Sequence, residues 1–433
     1  MSSPLVFSQS NFRYNRVMSN KKIVALNTIS QVIGKGISGI ISFVISIILA
    51  KALGVDGYGD FTKITTYVAF FYLFCDFGLN AAYLQIASDH TSSTINHTLL
   101  TLRIFIGLIL MFFTMTLLVF LPGTMTQGYS VVVKMSIILF IPSILCQSLI
   151  TTTNVFFQER LKYVQATYAL IAGSLLTLIA VYVSSLVFSS TLFLFAFVLA
   201  NLLGVASTAF VAILLVKKTI GPLRLIWNPK EMKQLFFAAL PLGITLIFNV
   251  IYFHADSFIL TISRPTSEVG IYGLAYKFFE FALVIPTFFM NAALPLLIQA
   301  YSQKNTEVFN ARIMKSLHLL ILSSIGIASL GWMAAPLLQY IRPEFSQSSI
   351  PLKILLLGLP FFYMSNITMW ILVVKKLRLQ LTSIYGISML ANIGLNIYFI
   401  PTYGYIAAAW ITVVSEFFIV ISSYITIVTV DKK

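Results

Sequence analysis

The sequence predicts an all-α integral membrane protein of twelve transmembrane helices in two six-helix lobes related by a pseudo-twofold axis along the membrane normal. Three observations carry that expectation. Of 433 residues, 58% are hydrophobic and only 9% charged, against roughly 25% charged in a soluble domain. The apolar residues fall in blocks of about 20 or more, long enough at 1.5 Å rise per residue to cross a hydrocarbon core of roughly 30 Å. Two separate segments also recur about half a chain apart. β-Barrel strands, about 10 residues long and alternating in polarity, do not fit these blocks.

In chain order, a polar leader at 1–22 precedes spans at 24–50, 62–87, 98–121, 131–155, 164–188 and 191–216, the lobe 23–216. The first span is too long and too weakly marked for a cleaved signal peptide and is expected to stay; Met18, in "MSNKKIVALN", is a second candidate start. "LGVDGYGD" turns the chain into the second span and "PGTMTQGYS" turns it into the fourth. A basic linker at 217–234, holding "KKTIGPLRLIWNPKEMK", is expected to lie on the membrane surface as a partly amphipathic strap. The second lobe, 235–433, follows with spans at 235–263, 269–299, 313–339, 351–374, 379–400 and 404–429, punctuated outside by "SRPTSE", "RPEFSQSS" and "PTYG".

Charge orients the spans. Four Lys and Arg precede the first span, thirteen lie in the even-to-odd connections and two in the tail, against five at the opposite loops and helix ends. The positive-inside rule then places both termini in the cytoplasm. The net charge of +15 reads as topology and attraction to anionic headgroups, with no nucleic acid as partner. Cys75 and Cys146 fall inside spans without disulfide or metal spacing and read as small packing residues. His90 and His97, on a short polar loop, do not make a metal site.

The repeat sets the architecture. "VDGYGDFTK" at 55–63 returns as "VGIYGLAYK" at 269–277, an offset of 214, and "ERLKYVQATYALIAGSLLTLIAVYV" pairs with "KKLRLQLTSIYGISMLANIGLNIYF" at an offset of 216. A duplicated unit of six spans re-enters the membrane in its original orientation, which gives a twofold relation about the membrane normal and a substrate path between the halves.

"LAKALGVDGYGDF", "CDFGLNAA", "FFQERLKY", "HADSFILTI…VGIYGLAYKF" and "NIGLNIYFIPTYGYIAAAW" together resemble the polysaccharide transporters, or Wzx-type O-antigen flippases, of the multidrug/oligosaccharidyl-lipid/polysaccharide exporter superfamily. The resemblance covers nearly the whole chain. It implies a V-shaped pair of lobes in the cell (inner) membrane that moves a polyprenyl-diphosphate-linked oligosaccharide, an O-antigen or capsule repeat unit, between leaflets. The implied partners are that substrate, membrane lipids, and a polysaccharide polymerase with its chain-length machinery.

A charge near mid-membrane costs at least about 2.5–3.5 kcal/mol on insertion scales, so each is a functional candidate. Lys35 and Asp76 come out at matching depth along consecutive spans and are expected to pair. His254, Asp256, Lys277 and Glu280 should cluster in the outer half of the second lobe, with Lys277 and Glu280 on one helix face. Lys63 and Lys277 are the duplicated cations of the repeat, read either as reaching outer headgroups or as facing each other across the cavity to bind a diphosphate. Substrate and cavity candidates are thus Lys35, Lys63, Asp76, Lys277 and Glu280; ion-coupling candidates are His254, Asp256 and Glu416, the last without a partner assigned. Arg103 and Lys134 are expected to snorkel to the interfaces. Span Asn and Gln residues, among them Asn27, Asn80, Asn249, Asn291, Asn392 and Asn396, are expected to pack helices or to bond sugars.

Three functions remain open at this level: a lipid-linked oligosaccharide flippase coupled to H⁺ or Na⁺, a cation-coupled multidrug and toxin extruder, and a polysaccharide polymerase or ligase. The mixed signs of the intramembrane charges favour the first over the second. Short outer connections and the lack of any nucleotide loop or metal-ligand cluster argue against an enzyme, against ATP-driven transport and against any organic or metal cofactor.

Overall fold

A computed structural model describes residues 21–431 apart from 90–93, 125 and 189; the leader to residue 20, His90 and the last two lysines lie outside the described residues. The helices are α1 (Lys21–Asp76), α2 (Leu79–Asp89), α3 (Ile95–Phe120), α4 (Val131–Phe140), α5 (Pro142–Glu159), α6 (Tyr163–Val187) and α7 (Ser190–Thr219). After the linker come α8 (Pro229–Ser263), α9 (Thr266–Ser302), α10 (Thr306–Ala334), two 3₁₀ turns (Ala335–Tyr340 and Pro343–Ser348), α11 (Ser349–Val374) and α12 (Arg378–Asp431).

Helices α1 and α12 are each two spans. Gly54, at φ 70°, and Gly404, at φ 60°, reverse the chain within them, a conformation for which glycine carries no Cβ penalty. Ser46 and Tyr58 share a hydroxyl hydrogen bond of 2.7 Å across the first turn, although twelve residues of straight helix would separate them by about 18 Å. Asn392 Nδ2 donates to Ser415 Oγ at 3.0 Å across the second. The second limb of α1 runs on, through Phe77 and Gly78 at φ 42° and 76°, into α2, and α4 abuts α5 at Pro142. Among the described residues, that resolves ten continuous apolar stretches into twelve spans, six before the linker and six after. Large apolar side chains such as Phe112, Leu322, Met333 and Tyr398 stand well exposed, as the lipid-facing surface of a multi-pass membrane protein requires.

Both glycine turns carry the same device. The residue after each glycine opens a new span, and the first-turn N–H groups of a helix call for partners outside its own ladder. Val55 N donates to Glu344 Oε2 at 3.4 Å, and Tyr405 N donates to Glu268 Oε2 at 3.3 Å. Each carboxylate is itself paired with an arginine, Arg342 at 3.8 Å and Arg264 in direct contact. The first of these caps crosses between lobes; the second stays within lobe 2.

At that same end of the bundle, opposite the basic loops, the lobes are closed against one another. Gly128 N donates to Thr261 O at 2.9 Å and Thr266 N to Thr126 O at 2.8 Å, while Gln127 Nε2 donates to Ile262 O at 2.6 Å. Deeper, the start of the second limb of α1 lies directly on the start of α9. A Cβ at Gly59 would strike Thr266 O, and one at Gly270 would strike Val55 O, so only small residues permit this approach.

At the opposite end the linker and α8 join the lobes. Arg224 N donates to His97 Nδ1 at 3.1 Å and Ile226 N to Thr101 Oγ1 at 2.9 Å, pinning the strap to α3. Met232, Leu235 and Ala239 of α8 are buried in a lobe 1 cluster with Leu79, Tyr83, Leu99 and Phe156. Farther along, Tyr252 packs with Met389 and Ile419 of lobe 2. Between these halves α8 carries Pro241 within a continuous helix, where the proline has no N–H to give, and Gly243 lies against the ring of Phe77 at the break between α1 and α2.

Candidate functional site

Beneath the seam, both lobes line one cavity of about 280 Å³. Lobe 1 supplies hydroxyls and an amide: Ser42 and Ser46 from the first limb of α1, Thr62, Thr65 and Thr66 from the second, and Asn201 from α7. Lobe 2 supplies the imidazole, ammonium and carboxylate, His254 from α8 with Lys277 and Glu280 from α9, and the hydroxyl of Ser257. Aromatic faces of Phe61, Phe197 and Tyr276 complete the wall. Ser42, Lys277 and Glu280 also line a second crevice of about 250 Å³ between α1 and α9, with Phe43, Phe281 and Val284. The ion pair therefore stands where the two spaces meet.

Lys277 and Glu280 lie one turn apart on α9, as the i, i+3 spacing requires, with Nζ–Oε2 at 3.1 Å and both side chains partly exposed. An exposed pair of this kind is worth about 0–1 kcal/mol. Lys277 can exchange Glu280 for another anion at little cost, and its neighbours offer several donors and acceptors to a polyhydroxyl ligand.

The other sequence candidates are placed differently. Lys63 does not face Lys277: it is buried in the seam, where Nζ meets Asp60 Oδ1 at 3.4 Å and donates to Thr266 Oγ1 of lobe 2 at 2.5 Å. Lys35 is exposed on α1 and does not pair with Asp76. Asp76 instead accepts from Arg103 Nη2 at 2.9 Å and from Asn80 N at 3.2 Å, so it caps α2 after the chain break. Arg103 does not snorkel; it is fully buried and also donates to Asn80 Oδ1 at 2.7 Å. Lys134, in the first turn of α4, donates to Leu121 O at the C-terminal cap of α3 at 2.7 Å.

Asp256 lies behind His254 and is not paired with Lys277. It is buried and accepts from Tyr272 OH at 2.5 Å, Ser257 N at 2.6 Å and Thr412 Oγ1 at 3.4 Å. Glu416, left without a partner by the sequence, accepts from Tyr252 OH at 2.9 Å. Next to it Asn396 Nδ2 donates to Asn392 Oδ1 at 2.8 Å and Asn392 to Ser415. The interior of lobe 2 thus holds two hydrogen-bonded carboxyls behind the cavity wall. The side chains of Asn27, Asn249 and Asn291 are outside those described.

Sequence reasoning missed Ser42, Ser46, Thr62, Thr65, Thr66 and Asn201. Thr62 and Thr65 bond their own helix carbonyls at 2.8 and 2.9 Å, a habit of Thr in any transmembrane helix, so no sequence signal sets them apart. The signal available was positional: Thr62, Thr65 and Thr66 fall within about two turns of the repeated Tyr-Gly.

The chain matches two family models, one described as "Polysaccharide biosynthesis protein" over residues 24–301 and one described as "MatE" over residues 241–398. No curated protein matches it. Among solved structures it is similar to "Lipid II flippase MurJ, inward closed conformation", with 17% identity, 93% of this chain and 87% of that one covered, and a TM-score of 0.74. An inward-facing multidrug resistance MATE family transporter of the MOP superfamily gives 13% identity, coverage of 92% and 96%, and a TM-score of 0.70. A MOP superfamily transporter from Pyrococcus furiosus, described as having a binding pocket of reverse polarity, gives 13%, 94% and 94%, and 0.63. These likenesses bear out the all-helical two-lobe fold.

Proposed function

The chain belongs to the polysaccharide biosynthesis protein family, whose model spans residues 24–301, and from that premise we propose that it is a flippase for polyprenyl-diphosphate-linked oligosaccharide, an O-antigen or capsule repeat unit. The observation that carries the reading is the cavity itself: hydroxyls from one lobe, one exchangeable cation from the other, and a crevice leading from that cation out between α1 and α9. In this account the diphosphate displaces Glu280 from Lys277, the sugars bond Ser42, Ser46, Thr65, Thr66 and Asn201, and the polyprenyl chain stays in lipid. Both termini face the cytoplasm in the inner membrane, and the closed seam is on the outer side.

Alternating access follows when the lobes part at the seam and close at the basic end. A ligand drives that change only by binding the two states with different affinity. An ion taken up at His254, Asp256 or Glu416, all on α8 and α12 of lobe 2, supplies the return bias, H⁺ or Na⁺ being the candidates. Delivery to a polymerase with its chain-length machinery completes the role.

The deciding experiment reconstitutes the chain in proteoliposomes holding a labelled polyprenyl-diphosphate oligosaccharide and follows its accessibility to an external sugar-oxidising reagent. Translocation that depends on the chain and is lost in Lys277→Ala supports the reading; rates equal to empty liposomes sink it. The match of a MatE model to residues 241–398 favours one second reading, a cation-coupled drug extruder. It gains if a lipophilic cation, and no lipid-linked sugar, moves in the same vesicles.

A further inference from the structure

The strap that joins the lobes has a chemistry of its own. Between 217 and 233 the chain exposes Lys217, Lys218, Arg224, Lys230 and Lys233. Its one acid, Glu231, is turned inward, with its two oxygens accepting from Thr94 and Thr98 at 2.9 and 2.6 Å. None of the five cations is neutralised from within the strap.

The strap's apolar residues divide between two directions. Ile220 and Leu223 pack on the lobe 1 cluster, whereas Leu225 and Trp227 are 65% and 62% exposed. The Trp227 ring stands edge-on to Phe105 at 5.6 Å, and the two backbone bonds to His97 and Thr101 hold the segment in an extended course across α3. A Trp and a Leu held outward among cations, at the end of a transmembrane bundle, match the layered chemistry of a headgroup region: anionic phosphate outside, acyl carbon just beneath.

We propose that the strap is a binding surface for anionic phospholipid, with Arg224, Lys230 and Lys233 on the phosphates and Leu225 and Trp227 set below them. Charge complementarity selects the occupant. Each cation at an anionic surface contributes about a fivefold gain in partitioning, and three act together here. The inference stands apart from the nature of the cargo.

Trp227 reports on it directly. In nanodiscs, a chain with Trp332→Phe, Trp370→Phe and Trp410→Phe leaves Trp227 as the fluorophore, and brominated phosphatidylglycerol is compared with brominated phosphatidylcholine as quencher. The expected result is half-quenching by the anionic lipid at a mole fraction at least fivefold lower. In the triple variant Arg224→Gln/Lys230→Gln/Lys233→Gln that preference should vanish. If the Phe substitutions prevent folding, the difference between the unaltered chain and Trp227→Phe gives the same quantity. Equal quenching by both lipids overturns headgroup selection, and quenching by neither overturns contact with the membrane. Relief of the anionic quench by stoichiometric polyprenyl diphosphate also overturns the proposal, because it hands the surface to the cargo.

Discussion

Gly59 and Gly270 meet backbone to backbone across the two lobes, and neither leaves room for a side chain on the other. Gly59 belongs to the first copy of the repeated segment, 55–63, and Gly270 to the second, 269–277. A second approach runs between the same copies, where a Cβ at Gly273 would stand 3.2 Å from Thr62 Cβ. The two copies of the repeat are therefore the two sides of one closure.

That closure can be locked. The Thr62→Cys/Gly273→Cys pair falls close to disulfide geometry, where Cβ atoms lie about 3.5–4.5 Å apart. Under mild oxidation it should crosslink, transport should drop to the level of empty vesicles, and reduction should restore it. A crosslinked chain that still transports means that the seam does not open during the cycle.

Lys277 and Glu280 should separate in their effects. Lys277→Ala removes the exchangeable cation and should lower flipping at least tenfold, a loss of about 1.4 kcal/mol. Glu280→Gln frees the lysine from an exposed pair worth up to about 1 kcal/mol, so apparent substrate affinity should rise up to about fivefold. Titrating substrate against each variant, with initial rates as readout, distinguishes the two. Equal losses in both would make the pair a packing element.

Arg103 gives a stability prediction. Asp76→Asn leaves a fully buried guanidinium without its counter-charge, and Arg103→Leu removes the guanidinium donor from Asp76 and Asn80, leaving Asp76 the bond from Asn80 N. Arg103 is fully buried and Asp76 about a third exposed, so the cost falls below the roughly 3–5 kcal/mol of a fully buried pair, and each single variant should still unfold at lower temperature in detergent. The double variant should lose less than the two single losses combined. Lys35→Ala, on an exposed position, should match the parent.

Coupling can be assigned within lobe 2. Asp256→Asn keeps an acceptor for Tyr272 and Thr412, and Glu416→Gln keeps one for Tyr252, so both should fold. Flipping by each is measured with a pH gradient and, separately, with a Na⁺ gradient. Loss of one gradient response in either variant, with residual gradient-free flipping, identifies the ion and its carboxyl. Full retention of both responses by these two and by His254→Ala removes all three from coupling.

Hydrophobic length and polar punctuation made every span legible, because both are properties of the chain alone. Counting along helices set Lys35 and Asp76 at one depth and led to the expectation that they pair. What counting omits is azimuth. Asp76 meets Arg103 beside the chain break at Phe77 and Gly78, and Lys35 is exposed. Lys63 looked like the twin of Lys277, but position 63 faces Thr266 across the seam while position 277 faces the cavity. Sequence equivalence under a twofold axis is lost wherever one copy is covered by the other lobe. Hydroxyl lining escaped notice because a Thr that bonds its own helix reads the same whether it faces a neighbour or a void.

The division of α8 also bears on how the protein is made. The lobe 1 cluster around Tyr83 and Phe156 stays incomplete until Met232, Leu235 and Ala239 have been synthesised. Domains generally fold in the order in which they leave the ribosome, at about 5–20 residues per second. The first lobe cannot finish when its sixth span is inserted, and must wait for the opening turns of the seventh. A nascent chain arrested shortly after residue 216 would expose that cluster to chaperones and proteases, and one arrested beyond residue 240, with those turns inserted, would bury it. The checkpoint in biogenesis thus falls inside a helix, past the linker that separates the two halves on paper.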